Sequence, residues 1–490
     1  MTLGTYDICI IGGGINGAGI ARDAAGQGLK VLLLEKGDIA SATSSASSKI
    51  IHGGLRYLEH YDFNLVRKAL KEREVLLDIA PHIISPLKFV LPHIPEMRNK
   101  WLIRAGLFLY DNLAKRKRIE GSKLLNIEKT PYKDDLKPAF KSTFTYGDAW
   151  CDDARLTLLN ALDAKDKGAT IKTRAKCEKI EQKGGHWLIH CNNNQTALAK
   201  VIINAAGPWT REFLDQNNLS KEDTPHIRLV KGSHIVIPKL YEGDHAYTLQ
   251  QNDERIVFTF PYQNHFTLIG TTDVEIEKDA PVQIEKDEID YLLNAINNAF
   301  QKQTTHKDII WTYSGVRPLL DSGNSKASEI TRDYHLRLDQ TNNQHVLSIF
   351  GGKITTYRTL AEDALKTLQP VLNFKYKSWT DKSKLPGGNI TKTHIEDALK
   401  THKEWPQEMT KRLAQTYGSN VSKFNKDCGK IYDNITCEAE IKYSIENELT
   451  VTAEDFLWRR TKLGLLLKPE TKEQLEKDFL QIKAKSKQND

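Results

Sequence analysis

A glycine-rich turn near the start of the chain has the residue types and spacing needed to hold a phosphate. Gly12, Gly14 and Gly17 fit the pattern GxGxxG where the apolar segment 6–11 would turn into a helix. In such a turn the first glycine permits the tight bend, the second lets the backbone approach a pyrophosphate, and the third allows the helix to pack on the sheet. The helix N-terminus then faces the phosphates. The turn therefore predicts a nucleotide site.

An acidic residue follows at the position where a dinucleotide site needs one. The apolar segment 29–34 ends at Glu35, eighteen residues beyond Gly17. A carboxylate there can accept hydrogen bonds from the adenosine ribose. Strand, glycine turn, helix, strand and acid thus occur in the order of a dinucleotide-binding unit. This fingerprint is shared by NAD and FAD proteins and does not separate them.

Two further segments favour FAD. Residues 42–57 are dense in small hydroxyl residues and glycine, and residues 350–358 again combine glycine with threonine. Segments of this kind allow the backbone to run close beside a ring system. Neither belongs to a simple NAD domain.

Size and composition limit the remaining possibilities. With 490 residues the chain has room for two to four domains. Its six cysteines form no CxxC pair and no zinc-like spacing, so we predict no metal site. Residues 1–6 carry no basic region typical of a secretory signal, and a cytoplasmic protein is expected. No segment approaches the roughly 18 apolar residues of a spanning helix, so any membrane association is predicted to be peripheral.

Taken together, these residues resemble the flavin-dependent glycerol-3-phosphate dehydrogenases, members of the larger D-amino-acid-oxidase-like group of FAD proteins. The resemblance extends from about Tyr6 to about Leu467 and includes residues 150–155, 231–234, 312–318 and 458–461. It implies an α/β fold in which a Rossmann-type FAD-binding domain is joined to an antiparallel-sheet substrate domain and a C-terminal helical domain.

The predicted domains are discontinuous. The FAD-binding domain is expected over residues 1–75, 150–225 and 336–370, and the substrate and membrane-facing domain over 76–149 and 226–335. The C-terminal helical domain is expected over 386–490, after a Pro-Gly-Gly linker at 386–388.

The motifs that carry the resemblance also supply a predicted FAD site. Its residues come from the glycine turn, the end of the second strand, and the glycine- and hydroxyl-rich segments. They are Gly12, Gly14, Ile15, Asn16, Gly17, Glu35, Lys36, Thr43, Ser44, Ser45, Ser48, Lys49, His52, Gly53, Gly54, Ala205, Ala206, Gly207, Gly352, Lys353, Ile354 and Thr355.

The resemblance implies oxidation of sn-glycerol 3-phosphate to dihydroxyacetone phosphate, with hydride transfer to flavin N5 and electrons passed to a membrane quinone. Such a reaction needs a base and an oriented substrate. His234 is the preferred base because an imidazole with a pKa near 6.5 suits proton abstraction, and His52 is its rival. Arg317 and Lys353 are the other predicted catalytic residues. The predicted substrate-binding set is Arg56, Tyr57, Arg317, Arg332, Lys353 and Thr355.

A basic and aromatic segment predicts a membrane-facing surface. Residues 98–118 contain seven basic residues and one acid, which accounts for six of the seven net positive charges of the chain. Trp101, Phe108 and several leucines are interspersed, as in a basic helix that lies in a lipid interface. Association with the inner face of the cytoplasmic membrane is therefore expected. No nucleic-acid motif accompanies the charge, and a homodimer is left open.

Three alternatives remain at the level of the sequence. An oxidase of the same family would give its electrons to oxygen instead of a quinone. An amine or amino-acid oxidase of the same fold could use the arginines for a substrate carboxylate. A membrane-associated FAD-binding protein without turnover would retain the nucleotide site alone.

Overall fold

The computed structural model describes residues 2–95, 97, 99–192, 194–253, 255–321, 333–425 and 427–486. The strands, in chain order, are β1 (Thr2–Ile11), β2 (Val31–Leu34), β3 (Ile50–Ile51), β4 (Ile84–His93), β5 (Lys123–Asn126), β6 (Ser142–Cys151), β7 (Thr170–Lys172), β8 (Cys177–Lys183), β9 (His186–Cys191), β10 (Gln195–Asn204), β11 (Ile227–Pro238), β12 (Ala246–Gln250), β13 (Ile256–Tyr262), β14 (Phe266–Gly270), β15 (Val274–Ile276), β16 (Trp311–Leu320), β17 (Tyr334–Thr341), β18 (Gln344–Gly351), β19 (Ile431–Tyr432) and β20 (Thr436–Cys437).

Helices cover the sheets and form most of the C-terminal region. They are α1 (Ile15–Gly26), α2 (Phe63–Ile79), α3 (Lys100–Asn112), α4 (Asp153–Asp166), α5 (Thr210–Gln216), α6 (Lys286–Ala299), α7 (Tyr357–Leu372), α8 (His394–Thr401), α9 (Gln407–Tyr417), α10 (Glu438–Asn447), α11 (Leu463–Leu466) and α12 (Pro469–Ser486). A π-helical turn, Asp455–Arg460, precedes α11.

The first sheet brings the predicted nucleotide-binding segments to one edge. Its order is β17-β18-β10-β1-β2-β7, and β18, β10, β1 and β2 run parallel. Apolar side chains of β1 and β2 are buried on both faces, as a covered parallel sheet requires. Because the carboxyl ends of parallel strands meet at one edge, Gly12, Glu35, Ala205 and Gly352 all follow strands at the same edge.

The helices α1, α4 and α7 pack against one face of this sheet and form the largest core. Ile8, Ile10, Leu33, Leu347 and Leu360 are among its fully buried members. Gly19 allows α1 to lie against Tyr357 of α7. This packing fixes the end of α1 that faces the glycine turn.

The second sheet is predominantly antiparallel. Its order is β15-β11-β14-β13-β12-β4-β6-β3, with β16 paired to β11 and β5 to β6. The pair β4–β12 is parallel, and the other neighbours run antiparallel. Strand β11, which pairs with β14, β15 and β16, carries His234, whose neighbours across the ladder are Gly270 and Tyr313.

The C-terminal region is helical, with one short hairpin formed by β19 and β20. Two apolar clusters stabilise it, one around Trp405 and Met409 and another around Phe456 and Phe479. The sequence-based fold class is thus confirmed. No helix in the described parts of the chain combines the length and apolar character needed to cross a bilayer.

Candidate active site

The glycine turn has the close contacts expected of a phosphate-binding loop. Gly12 adopts a φ of +114°, and a Cβ there would lie 2.5 Å from the carbonyl oxygen of Ala205. A Cβ on Gly17 would collide with the carbonyl of Gly12. Both positions therefore require glycine, and α1 begins directly after the turn, where its Ile15 amide donates to the Ser44 hydroxyl at 2.9 Å.

Glu35 is tied to the same turn. One carboxylate oxygen accepts the Gly13 amide at 2.6 Å, and the other accepts the Gly37 amide at 2.7 Å. Burial raises the pKa of the Glu35 carboxyl, and these two amide donors oppose the shift. The neighbouring Lys36 extends over the Trp209 ring, with its ammonium 3.5 Å from the ring centroid.

A cavity of about 280 Å³, here called the inner cavity, lies between the edge of the first sheet and the second sheet. Many of the predicted site residues line it. They are Gly14, Ile15, Asn16, Thr43, Ser44, Ser48, His52, Tyr57, Ala205, Gly207, His234, Arg317, Gly352, Lys353, Ile354 and Thr355.

Other predicted site residues lie beside the inner cavity and not on its wall. The Lys49 ammonium is buried and bonds Asp153 at 2.7 Å and the Ser45 carbonyl at 3.0 Å. Gly53 donates its amide to the Tyr110 hydroxyl at 2.8 Å. Gly12, Gly17, Glu35, Lys36, Ser45, Gly54, Arg56 and Ala206 are likewise absent from the lining. Arg332 lies outside the described residues.

Asn16 provides a test of whether the inner cavity suits a flavin nucleotide. Its amide nitrogen donates to the Gly351 carbonyl at 3.3 Å. Its buried Oδ1 has no hydrogen-bond partner within the described residues. A buried acceptor of this kind normally has a donor, and the N–H and hydroxyl groups of FAD would supply one. The glycine turn and this acceptor both fit FAD.

His234 is held rigidly on the wall of the inner cavity. Its Nε2 lies 2.9 Å from the Ser48 hydroxyl oxygen, and its ring stacks on Tyr313 with centroids 4.6 Å apart. The Nδ1 atom is buried and has no hydrogen-bond partner in the described chain. Burial, with the charges of Arg317 and Lys49, holds the pKa of the His234 imidazole well below its usual range. The imidazole is therefore neutral near pH 7.

Arg317 is oriented by residues at the end of β14. Its guanidinium forms an ion pair with Asp273 and donates to the Thr271 hydroxyl at 3.0 Å and the Thr272 carbonyl at 3.1 Å. Sequence reasoning missed Asp273 and Thr271. The polar run 271–273 directly after an apolar strand was the available signal, but its pairing with Arg317 depends on the sheet order.

Lys353 and Thr355 approach the inner cavity from the segment after β18. The Lys353 ammonium lies 3.8 Å from the centroid of the Tyr57 ring. The Thr355 hydroxyl accepts the His52 amide at 3.4 Å. The structure thus brings His52, His234, Tyr57 and the two predicted catalytic cations, Arg317 and Lys353, to one cavity.

A second cavity of about 580 Å³, here called the outer cavity, adjoins the inner one. The two share Ile50, His52, Tyr57, Phe258, Thr271 and Arg317 as lining residues. The rest of the outer cavity is mainly apolar and is bounded by α3. Its lining there includes Leu102, Ile103, Gly106 and Leu109 of α3, and Tyr61 and Phe63 also line the cavity.

Comparison with known proteins identifies the family. Residues 7–358 match the model of the family described as FAD dependent oxidoreductase. Residues 378–485 match the model described as the C-terminal domain of alpha-glycerophosphate oxidase. A glycerol-3-phosphate dehydrogenase of Pseudomonas aeruginosa is 47% identical over 479 residues, which cover 95% of this chain and 93% of that protein. The chain belongs to the FAD-dependent glycerol-3-phosphate dehydrogenase family.

Two other relatives are a dehydrogenase with a different named substrate and a solved structure that contains FAD. A D-erythritol 1-phosphate dehydrogenase of Brucella abortus is 44% identical, with 94% of each chain covered. The crystal structure of a glycerol-3-phosphate dehydrogenase from Bacillus halodurans, complexed with FAD, superposes with a TM-score of 0.74. It is 27% identical, and the match covers 97% of this chain and 89% of that one. The predictions of an FAD cofactor and of an oxidoreductase are confirmed.

Proposed function

We propose that this member of the family oxidises sn-glycerol 3-phosphate to dihydroxyacetone phosphate. The observation that carries the proposal is the meeting of Arg317, Lys353 and the neutral imidazole of His234 at the inner cavity, beside the dinucleotide turn. Two cations suit a substrate phosphate, and a neutral imidazole suits the removal of a hydroxyl proton. Bound FAD supplies the hydride acceptor of the reaction.

The cations would bind and orient the substrate. Asp273 and Thr271 fix the Arg317 guanidinium before substrate arrives, so little side-chain freedom is lost on binding. Lys353 adds a compact second charge. Arg56, on the wall of the outer cavity, is a further donor for the phosphate.

Ser48 and His234 would take up the proton. Both residues line the inner cavity, and the Ser48 hydroxyl is in hydrogen-bond contact with His234 Nε2. Ser48 would accept the hydroxyl proton of the substrate and pass its own hydroxyl proton to Nε2 of His234. Burial is the main cause of the low pKa of His234, and nearby cationic charge adds to it. A phosphate dianion beside Arg317 would offset that charge and make the imidazole a better base. His52, which lines both cavities, remains the rival base.

The Brucella abortus relative supports a second candidate substrate. A longer polyol phosphate, such as D-erythritol 1-phosphate, would bind through the same cations. Its additional carbon would extend towards the outer cavity, which is continuous with the inner one at Thr271 and Phe258.

An anaerobic absorbance titration separates these candidates. Purified holoenzyme is mixed with glycerol 3-phosphate, D-erythritol 1-phosphate, glycerol or an amino acid, and the flavin absorbance band is followed. We expect glycerol 3-phosphate to bleach the flavin at the lowest concentration. Preferential bleaching by D-erythritol 1-phosphate would identify that compound as the preferred substrate. Bleaching by an amino acid alone would contradict both.

We also propose a membrane quinone as the electron acceptor and peripheral association with the inner face of the cytoplasmic membrane. Of the eleven large hydrophobic side chains that are exposed in the described chain, six lie on α3 and the adjoining segment 61–63. They are Tyr61, Phe63, Trp101, Leu102, Phe108 and Leu109. Isolated exposed apolar residues are ordinary, but a cluster of this kind favours contact with lipid.

The positive charge of this region is partly offset by ion pairs, one of them with an acid outside residues 98–118. Arg116 pairs with Asp111, and Arg118 pairs with Asp78 at 2.7 Å. Arg98 lies outside the described residues. The apolar side chains therefore carry more of the argument than the charge does.

Reoxidation tests the acceptor. Holoenzyme reduced by glycerol 3-phosphate is mixed anaerobically with quinone-containing vesicles, or separately with oxygen-saturated buffer. Rapid reoxidation by the vesicles alone is expected, and rapid reoxidation by oxygen would indicate an oxidase. Whether the protein is a homodimer, which the sequence leaves open, is tested in parallel by sedimentation of the detergent-free protein.

A further inference from the structure

A buried carboxylate of the FAD domain is held by two arginines of the C-terminal region. Asp38 follows β2 and is 2% exposed. Arg460 reaches both of its oxygens, through Nη1 at 2.7 Å and Nη2 at 2.8 Å. Arg459 adds a third bond, from Nε at 2.7 Å. Two-pronged bonding of a carboxylate by a guanidinium fixes direction as well as distance.

Both arginines are anchored within the C-terminal region. Arg460 donates from Nε to the Glu448 carbonyl at 2.8 Å and from Nη2 to the Leu449 carbonyl at 3.2 Å. Arg459 forms an ion pair with Asp455, which is fully buried. The packing of the C-terminal region therefore helps to fix the position of Asp38, together with the Arg174 amide, which donates to the Gly37 carbonyl at 2.8 Å.

The loop that contains Asp38 supports the glycine turn directly. The Ala40 amide donates to the Gly13 carbonyl at 3.1 Å, and Glu35 accepts the Gly13 amide in return. A Cβ on Gly13 would lie 2.8 Å from the Ile39 side chain, so no space separates loop and turn. Displacement of Asp38 would shift the loop that shapes the turn.

We propose that Arg459 and Arg460 are positioning residues for the cofactor, which hold the adenosine-binding end of the FAD site in place through Asp38. In a dinucleotide fold the acid after the second strand and the glycine turn contact the ribose and the pyrophosphate. The C-terminal region thus completes the FAD site, although neither arginine lines the inner cavity.

Arg459 and Arg460 balance the negative charge of the buried Asp38 carboxylate. Without them Asp38 would be a buried carboxylate with only the more distant Arg174, whose Nη1 lies 3.9 Å away. A buried charge that has lost its partner is strongly destabilising, and it gains hydration if its loop opens. The opened loop would release Ala40 and Ile39 from the glycine turn.

FAD release from the holoenzyme tests the proposal. Arg459→Gln and Arg460→Met are compared with Arg412→Met, which removes a partly buried arginine paired with the buried Glu440 inside the C-terminal region. Release is followed by the fluorescence of free flavin after dilution. We expect the first two variants to release FAD at least tenfold faster than wild type, and Arg412→Met to match wild type.

Two further readouts separate positioning of the cofactor from general loosening. With excess free FAD, Arg459→Gln should keep kcat and KM near the wild-type values, because the substrate end of the site is untouched. Hydrogen exchange in the holoenzyme should accelerate at residues 35–46. Unchanged FAD release in Arg459→Gln would overturn the proposal, as would equal acceleration in Arg412→Met. Arg459→Gln keeps the test valid if Arg460→Met does not fold.

Discussion

At the residue scale, the contact between Ser48 and His234 gives the proposed reaction its chemistry. His234 is buried, neutral and oriented on one side by the Tyr313 ring and on the other by the Ser48 hydroxyl. A side chain that is fixed in this way loses little freedom when substrate binds. A neutral imidazole can accept the proton that an alcohol must lose as it becomes a ketone.

Substitution of the two candidate bases distinguishes between them. His234→Asn should slow flavin reduction by about 10²-fold or more, the usual contribution of a general base. FAD should stay bound, since the glycine turn is unaffected. His52→Asn is the matched variant and should have a smaller effect. Stopped-flow reduction measures both, and a full rate in His234→Asn with a large loss in His52→Asn would assign the role to His52.

Arg317 is predicted to determine the preference for phosphorylated substrate. Loss of a charge-assisted hydrogen bond costs roughly 1.5–3 kcal/mol, so Arg317→Ala should raise KM for glycerol 3-phosphate about 10- to 10²-fold. Activity with plain glycerol should change little. Arg228→Ala is the control, because Arg228 pairs with Glu275 on the same sheet but lines neither cavity. Equal losses with both substrates would contradict the assignment.

Local motifs allowed the nucleotide end of the site to be predicted, because Gly12, Gly17 and Glu35 interact within one strand-turn-helix-strand unit. The partners of Arg317 were not predictable in the same way. Asp273 and Arg317 are distant in sequence and meet only through the strand order of the second sheet. For Lys49 the local motif predicted a contact with the cofactor, but its ammonium bonds Asp153.

At the scale of elements, α3 connects the proposed membrane surface with the active site. One part of the helix exposes Trp101 and Phe108, which are 66% and 61% exposed. Ile103 and Gly106 line the outer cavity, which adjoins the inner cavity at Arg317. An apolar acceptor that leaves the lipid beside α3 would have a short apolar path to the flavin.

The exposed side chains of α3 are predicted to drive vesicle binding. Trp101→Ser with Phe108→Ser should weaken partitioning at least about tenfold, since each buried large apolar side chain contributes about 1.5–3 kcal/mol. Leu480→Ser, at a 69% exposed position on α12, is the control and should leave binding unchanged. Vesicle co-sedimentation measures this effect. Unaltered binding of the double variant would place the membrane surface elsewhere.

The sequence predicted the elements better than their pairing. Residues 29–34 were expected as a strand, and β2 occupies 31–34. Alternating and continuous apolar runs reveal such strands locally. Residues 50–51 form a strand of the second sheet, although Ser48 before them and His52 after them line the inner cavity. No local sequence pattern indicates that this segment joins the second sheet. The predicted domain bounds stay a prediction.

At the scale of the whole molecule, a largely buried histidine should make stability depend on pH. His245 lies among the rings of Tyr132, Tyr241 and Tyr247, and burial, assisted by Lys88, lowers its pKa to about 4. Below about pH 6.5 the imidazole of His245 binds a proton in the unfolded chain but stays neutral in the folded chain until the pH approaches 4. This contribution to stability is thus present above pH 6.5 and is lost as the pH falls towards 4.

His245→Gln tests this linkage. Between pH 7 and pH 5 the free energy of unfolding should fall by about 2 kcal/mol less in the variant than in wild type. Denaturant unfolding at both pH values provides the comparison, and any constant change in packing cancels in the difference. An identical pH dependence of the two proteins would show that His245 titrates normally in the folded state.

Reduction of the flavin by isotopically labelled substrate tests the central claim most directly. Holoenzyme is mixed anaerobically in a stopped-flow instrument with glycerol 3-phosphate that carries deuterium at either C2 or C1. Oxidation of the secondary alcohol breaks the C2–H bond, so the account predicts rapid bleaching that deuterium slows at C2 and leaves unchanged at C1. An absence of bleaching, or slowing by deuterium at C1 alone, would contradict it.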